Sequence, residues 1–265
     1  MTDIIVVEDP GDERFRQFRL NERGLASRAQ KRDDAGAGLF LAEGDLVVAR
    51  AVGAGCRPVA ALVDADHVPP VADRLDCPIY GGGSAVRRVV SQLGIPLSIV
   101  ALFDRPARPS VGELARHCHR LVVVEAVDNP ANVGSIVRNA AGLGWDGMIL
   151  DHTSADPLSR RALRVAMGTA FALPHARTHR LAAEVAGLDA FEVYALTPDA
   201  AATRIDDIDP AERSAIIVGS ERAGVSPSLS SLAVPVRIPM GRGVDSLNVA
   251  AATAIACWAL RPDQM

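Results

Sequence analysis

Residues 238–258 read IPMGRGVDSLNVAAATAIACW. Ile238 and Met240 flank a stiffening Pro239, two glycines follow at Gly241 and Gly243, and a polar opening, Ser246-Leu247-Asn248, leads into an almost wholly apolar helix-forming run. Ser246 is a natural N-cap for a helix expected over Leu247 to Leu260. Upstream, residues 216–224 read IIVGSERAG, a β-branched run ending at Gly219 and passing into a polar loop that carries Glu221. Further upstream, residues 129–144 read NPANVGSIVRNAAGLG. Here Pro130 bars helix from Asn129, Asn132 reads as the cap of a helix over Val133 to Leu143, and Gly144 reads as its stop. All three are strand-to-loop or loop-to-helix junctions, the places where open α/β sheets bind ligands.

Around these junctions the periodicity is that of a parallel α/β protein. LVVVEAV (Leu121 to Val127) is a continuous apolar run suited to a strand buried on both faces. GMILD (Gly147 to Asp151), FEVYALT (Phe191 to Thr197), AIIVG (Ala215 to Gly219) and VRIPM (Val236 to Met240) supply further strands. Helical patterns fall between them, at Ser159 to Ala166 and Leu181 to Leu188. Residues 39 to 103 read as a separate, smaller α/β unit, in which alternating strands and helices predict a mostly parallel sheet. DRPARPS (Asp104 to Ser110) has two prolines that favour an extended path. The expected division is therefore 1–105, a linker over 106–115, and 116–265. Residues 14–32, RFRQFRLNERGLASRAQKR, are helix-compatible and arginine-rich.

In order, spacing and polar positions, the three junctions resemble the three motifs of the SpoU (TrmH-like) branch of the SPOUT RNA methyltransferases. The resemblance covers roughly residues 120 to 260. It implies a C-terminal α/β domain whose sheet is tied in a trefoil knot, which periodicity could not suggest because knots are rare. The smaller unit resembles the ribosomal-protein-like substrate-binding domain that precedes the catalytic domain in many of these enzymes, with Phe40, Glu43 and Gly44 at the matching strand-to-helix junction. The implied reaction is transfer of a methyl group from S-adenosylmethionine to a ribose 2′-hydroxyl of structured RNA, rRNA ahead of tRNA. Family members are homodimers whose knotted domains complete each other's sites. The apolar last helix is the candidate interface.

The resemblance assigns roles residue by residue. Arg138, Glu221, Asn248, Ser246 and Asn132 match the reacting site. Thr197, Gly219, Ile238, Met240 and Leu247 are expected to border the cofactor, with Gly219 admitting its close approach. Glu43, Arg160, Arg161 and Arg164 are expected on the RNA side; Arg160 and Arg164, four apart, share a helix face. A 2′-hydroxyl is a weak nucleophile whose proton must be accepted during attack. Arg138 could take that proton, or stay charged and stabilise the developing alkoxide. Both roles stay open on sequence.

Composition constrains the alternatives. The 265 residues are 49% hydrophobic, 23% charged and 4% aromatic, so the core is aliphatic. A net charge of −4 argues against a nucleic-acid coat protein but does not exclude an RNA enzyme with a local basic patch. Lys31 is the only lysine, so arginine carries the positive charge. The cysteines (Cys56, Cys77, Cys118 and Cys257) have neither zinc nor disulfide spacing, and no signal peptide or membrane span is evident, so a cytoplasmic address, no membrane and no metal are expected. A dinucleotide oxidoreductase would need G-x-G-x-x-G after the first strand, and that fingerprint is missing. The competing reading is a catalytically silent RNA-binding protein that keeps the fold.

Overall fold

The computed structural model describes residues 3–241 and 243–261. The chain forms two compact units, one of Met1–Ala107 with Leu158–Phe171, the other of Arg108–Pro157 with Ala172–Met265. Two expectations about the division change. Residues 158–171, placed in the second unit on sequence, pack with the first. The helix Val111–His117 begins inside the expected linker, because Ser110 and Glu113 form a reciprocal capping box.

The first unit has strands β1 (Ile4–Val6), β2 (Leu39–Glu43), β3 (Pro58–Asp64), β4 (Ile79–Gly82) and β5 (Ile99–Asp104). Their order in the sheet is β1-β4-β3-β5-β2. The sheet is mixed rather than mostly parallel. β4 runs parallel to β1 and β3, whereas β5 runs antiparallel to both its neighbours. Gln92 and Gly94, both at positive φ, turn the chain between the helix Ser84–Ser91 and β5. One sheet face carries Leu41, Leu62 and Leu102 into a core with Phe15 and Phe18. On the other, Phe40 and its register partner Phe103 stack with centroids 5.2 Å apart, against Phe171.

The arginine-rich segment is not one helix. It breaks into a turn at Glu13–Phe15 and short helices at Glu22–Leu25 and Arg28–Arg32. Asn21 and Ser27 restart the chain by capping: Asn21 Oδ1 accepts from the Gly24 amide at 3.0 Å, and Ser27 and Gln30 form a capping box.

The second unit has β6 (Arg120–Val124), β7 (Gly147–Asp151), β8 (His175–Thr178), β9 (Glu192–Leu196), β10 (Thr203–Arg204), β11 (Ser214–Val218) and β12 (Val234–Arg237). They form one sheet, ordered β10-β12-β9-β11-β6-β7-β8, in which every pair is parallel. The chain builds outward from β6 through β7 to β8, then crosses to the other side to lay down β9, β11 and β12. Strand order therefore reverses between β6 and β11, and such a switch point opens a crevice at the carboxyl ends of the strands. All five residues of β6 and of β11 are buried, as the continuous apolar runs predict. The helix Val249–Ala259 packs on β11 and on the helix Pro130–Gly142, joined to the latter where Asn139 Nδ2 donates to the Ala250 carbonyl at 3.0 Å.

Candidate functional site

Two helix starts differ from the sequence reading, and the difference builds the site. Asn129, not Asn132, caps the helix that follows β6: its Oδ1 accepts from the Ala131 amide at 2.9 Å, and Pro130 fills the first helical position, where a missing N–H costs nothing. Asn132 is thereby freed from capping and sits buried in the first turn. At the last helix the cap is Asn248, not Ser246. Asn248 Oδ1 accepts from the amides of Ala250 at 2.9 Å and Ala251 at 3.4 Å.

Asn248 keeps its amide nitrogen for a second bond, donating from Nδ2 to Asn132 Oδ1 at 3.2 Å. Asn132 in turn donates from Nδ2 to Glu221 Oε1. Residues from all three sequence junctions thus form one chain of hydrogen bonds. A carboxylate with an amide donor is held in one orientation, and the bond to a charged acceptor is among the stronger kinds.

Glu221 rides on a tight loop after β11. The Gly224 amide donates to the Ser220 carbonyl at 2.9 Å, and the Ala223 amide to Ser220 Oγ at 3.2 Å. Gly219 has a second reason beside the one the sequence suggested. A β-carbon on it would lie 2.0 Å from the Gly224 carbonyl oxygen, so the glycine admits the returning loop backbone. The far end of the loop is tied to β6, where Glu125 Oε2 accepts from the Ser226 amide at 2.7 Å.

These loops border a cleft of about 560 Å³ at the carboxyl ends of β9, β11 and β12, within the range of small-molecule sites. Every residue expected to border a cofactor lines it: Thr197, Gly219, Ile238, Met240 and Leu247. So do Glu221, Ser246 and Asn248. Sequence reasoning missed Arg222 and the apolar wall made by Val218, Val236 and Val249. Those valines carried only a strand or core signal, whereas Arg222 adjoins Glu221 and could have been found from that adjacency.

On β6 and β7 the structure adds Asp151. Burial acts to raise its carboxyl, but bonds from the Ser154 and Thr153 hydroxyls and the Ala126 and Ser154 amides hold it below its ordinary value. The Ala126 bond, 3.0 Å, pins the turn after β6, where Ala126 adopts φ 54°.

Arg138 is not brought to this cleft. Six residues beyond Asn132, it lies about 9 Å further along the helix and on a different face. Its side chain is exposed, and it has no hydrogen-bonded or ionic partner among the described residues.

In the first unit, Glu43, Arg160 and Arg164 form an internal ion cluster rather than an open RNA surface. Glu43 is 2% exposed at its side chain, and Arg164 Nη1 meets its Oε2 at 2.5 Å. Arg160 Nε donates to Oε1 at 2.9 Å, and its Nη2 reaches Oε1 and the Ser91 carbonyl. A buried carboxylate requires such partners, which is why Arg160 turns inward and the tip of Arg164, its side chain 40% exposed, reaches Glu43. Arg161, between them, is exposed. Among the described residues, no group of three or more potential metal ligands occurs and no helix is long and apolar enough to cross a membrane.

The chain as a whole is similar to known proteins. Residues 119–258 match the SpoU rRNA methylase family. An uncharacterized tRNA/rRNA methyltransferase of Mycobacterium tuberculosis is 36% identical over 97% of this chain and 91% of its own length. A 23S rRNA (guanosine(2553)-2′-O)-methyltransferase of Bacillus subtilis is 31% identical over 65% of this chain and 68% of its own. Among solved structures, the AdoMet-bound rRNA methyltransferase from Sinorhizobium meliloti superposes with a TM-score of 0.84 at 23% identity, covering 99% of both chains. The SpoU methyltransferase AviRb from Streptomyces viridochromogenes, in complex with AdoMet, gives 0.77 at 22% identity, covering 94% of this chain and 97% of its own. These two share the fold.

Proposed function

The chain belongs to the SpoU rRNA methylase family of RNA methyltransferases, and from that premise we propose that it transfers a methyl group from S-adenosylmethionine to a ribose 2′-hydroxyl of structured RNA, rRNA ahead of tRNA. The observation that carries the reading is the hydrogen-bonded chain Asn248–Asn132–Glu221 at the cleft. The rRNA preference is supported by the likeness to the B. subtilis enzyme, whose name specifies a 2′-O-methyl on 23S rRNA.

S-adenosylmethionine supplies a methyl group already activated on a sulfonium. Thr197, Gly219, Ile238, Met240 and Leu247 would hold it, and the apolar wall of Val218 and Val236 suits a flat adenosyl group. Glu221, oriented by Asn132, positions the ribose by accepting from a hydroxyl. Asn248 fixes the far side of the pocket, and Ser246 offers a hydroxyl to the same space. Arg138 would act as a charged guanidinium that stabilises the alkoxide developing on the 2′-oxygen, while the hydroxyl proton passes to solvent water and the donor leaves as S-adenosylhomocysteine.

The exposure of Arg138, outside its own chain's cleft, supports a homodimer in which each copy completes its partner's site. An apolar face on the last helix, with Trp258 55% and Ile255 39% exposed, supports the same arrangement. A C-terminal trefoil knot is part of the proposal. It is supported by the path of the chain, in which β12 lies outside β9 while the helix that follows returns to β11 and to Pro130–Gly142. The first unit would serve as the RNA-binding domain, with Arg161 and the exposed Arg16, Arg23, Arg28 and Arg32 as phosphate contacts. A cytoplasmic address fits an enzyme of RNA.

The test incubates wild type and Arg138→Ala with labelled S-adenosylmethionine and unmethylated rRNA or, separately, tRNA. Label in rRNA that is lost in the variant is expected. Cofactor binding without transfer to either RNA would favour a silent RNA-binding protein.

A further inference from the structure

Arg222 is the one cationic side chain lining the cleft among the described residues. It is exposed, and it has no hydrogen-bonded or ionic partner there. Two other arginines of this unit are engaged with backbone: Arg213 Nη2 donates to the Cys118 carbonyl at 2.8 Å, and Arg120 Nε to the Leu260 carbonyl at 3.2 Å. The loop beneath Arg222 is fixed at both ends, by the Ser220–Gly224 bridge and by Glu125 holding the Ser226 amide. Its neighbour Glu221 is directed to Asn132.

We propose that Arg222 is an RNA contact that grips the phosphodiester beside the target ribose and so sets that ribose over Glu221. This rests on the methyl-transfer reading for the identity of the ligand. Residues 221–224 are exposed, whereas Thr197, Gly219, Ile238 and Met240 are half-buried, so the rim faces the side from which a polymer enters. Two anions could meet a cation in this cleft: an RNA phosphate and the carboxylate of the methyl donor. Exposure at the rim favours the phosphate. A guanidinium fork binds it bidentately and adds register as well as charge.

The experiment measures binding of full-length wild type, Arg222→Ala and Arg222→Lys to unmethylated rRNA between about 50 and 200 mM salt. S-adenosylmethionine affinity is followed by calorimetry in parallel. Arg222→Ala is expected to weaken RNA binding about tenfold and to lower the log–log salt slope by about 0.7 to 0.9, the signature of one lost phosphate contact. Arg222→Lys restores the slope, and cofactor affinity stays unchanged in both variants. An unchanged slope in Arg222→Ala overturns the proposal. So does a fall in cofactor affinity with RNA binding intact, which would assign Arg222 to the donor's carboxylate. A change in oligomeric state on sedimentation also overturns it, in favour of a subunit contact. Failure of the methyl-transfer reading looks different: wild type binds RNA but transfers no methyl group, and the slope comparison still stands.

Discussion

Asn132 donates its side-chain amide to Glu221 across 89 residues of sequence, joining the first turn of the helix after β6 to the loop after β11. The bond closes the switch point of the sheet and gives the cleft a carboxylate of fixed direction. Removing it without removing Glu221 isolates its contribution. Asn132→Ala is expected to lower kcat by about 10- to 100-fold, the 1.5–3 kcal/mol of a hydrogen bond to a charged group. Folding, read by circular dichroism, stays intact. An unchanged kcat would remove Asn132 from the machinery.

Gly219 leaves no room for a side chain, since its β-carbon would sit 2.0 Å from the Gly224 oxygen. Gly219→Ala must displace the loop that carries Glu221. Calorimetry should show cofactor affinity falling at least roughly tenfold, with the sheet retained, because β11 ends before the loop begins. Native affinity in this variant would mean the loop relaxes freely.

Glu43 neutralises Arg160 and part of Arg164 inside the first unit. Glu43→Gln leaves a mostly buried guanidinium without its counter-charge, a change that costs about 3–5 kcal/mol where a buried pair is broken from one side. Urea unfolding should show the loss in the transition of the first unit. A cost under about 1 kcal/mol, the level of a surface pair, would mean the cluster is solvated in solution.

Asp151 gives stability a defined pH dependence. Its carboxyl lies below its ordinary value of 3.8 in the folded protein. The folded state therefore binds the proton less readily than the unfolded chain. The stabilisation is fully present above about pH 4 to 5 and is lost as pH falls through the folded value. Asp151→Asn should flatten that acid limb while leaving the curve near neutrality parallel to wild type. An acid limb identical in both proteins would show that other carboxylates set it.

The readable parts of this chain were those where one residue type has one physical use. The β-branched runs at Leu121 and Ile216 became the buried centre of the sheet, and all five residues expected along the cofactor lie on one cleft. Caps were harder, because Asn129 and Asn132 are equally good capping residues; Pro130, favoured at the first helical position, points to Asn129. β8, with the sequence HART, has no apolar alternation and was not expected. The direction of β5 and the return of residues 158–171 to the first unit depend on long-range packing that no local pattern encodes. The pairing of Arg160 and Arg164 with Glu43 was likewise hidden, since sequence places arginines on a helix face without saying what that face meets.

The central claim is the chemical position of the transferred methyl group. The direct measurement is nuclease digestion of rRNA labelled from S-adenosylmethionine, followed by mass spectrometry of the nucleosides. The account predicts label on a single ribose 2′-oxygen, absent with Arg138→Ala. Label on a base, or label undiminished in that variant, would contradict it.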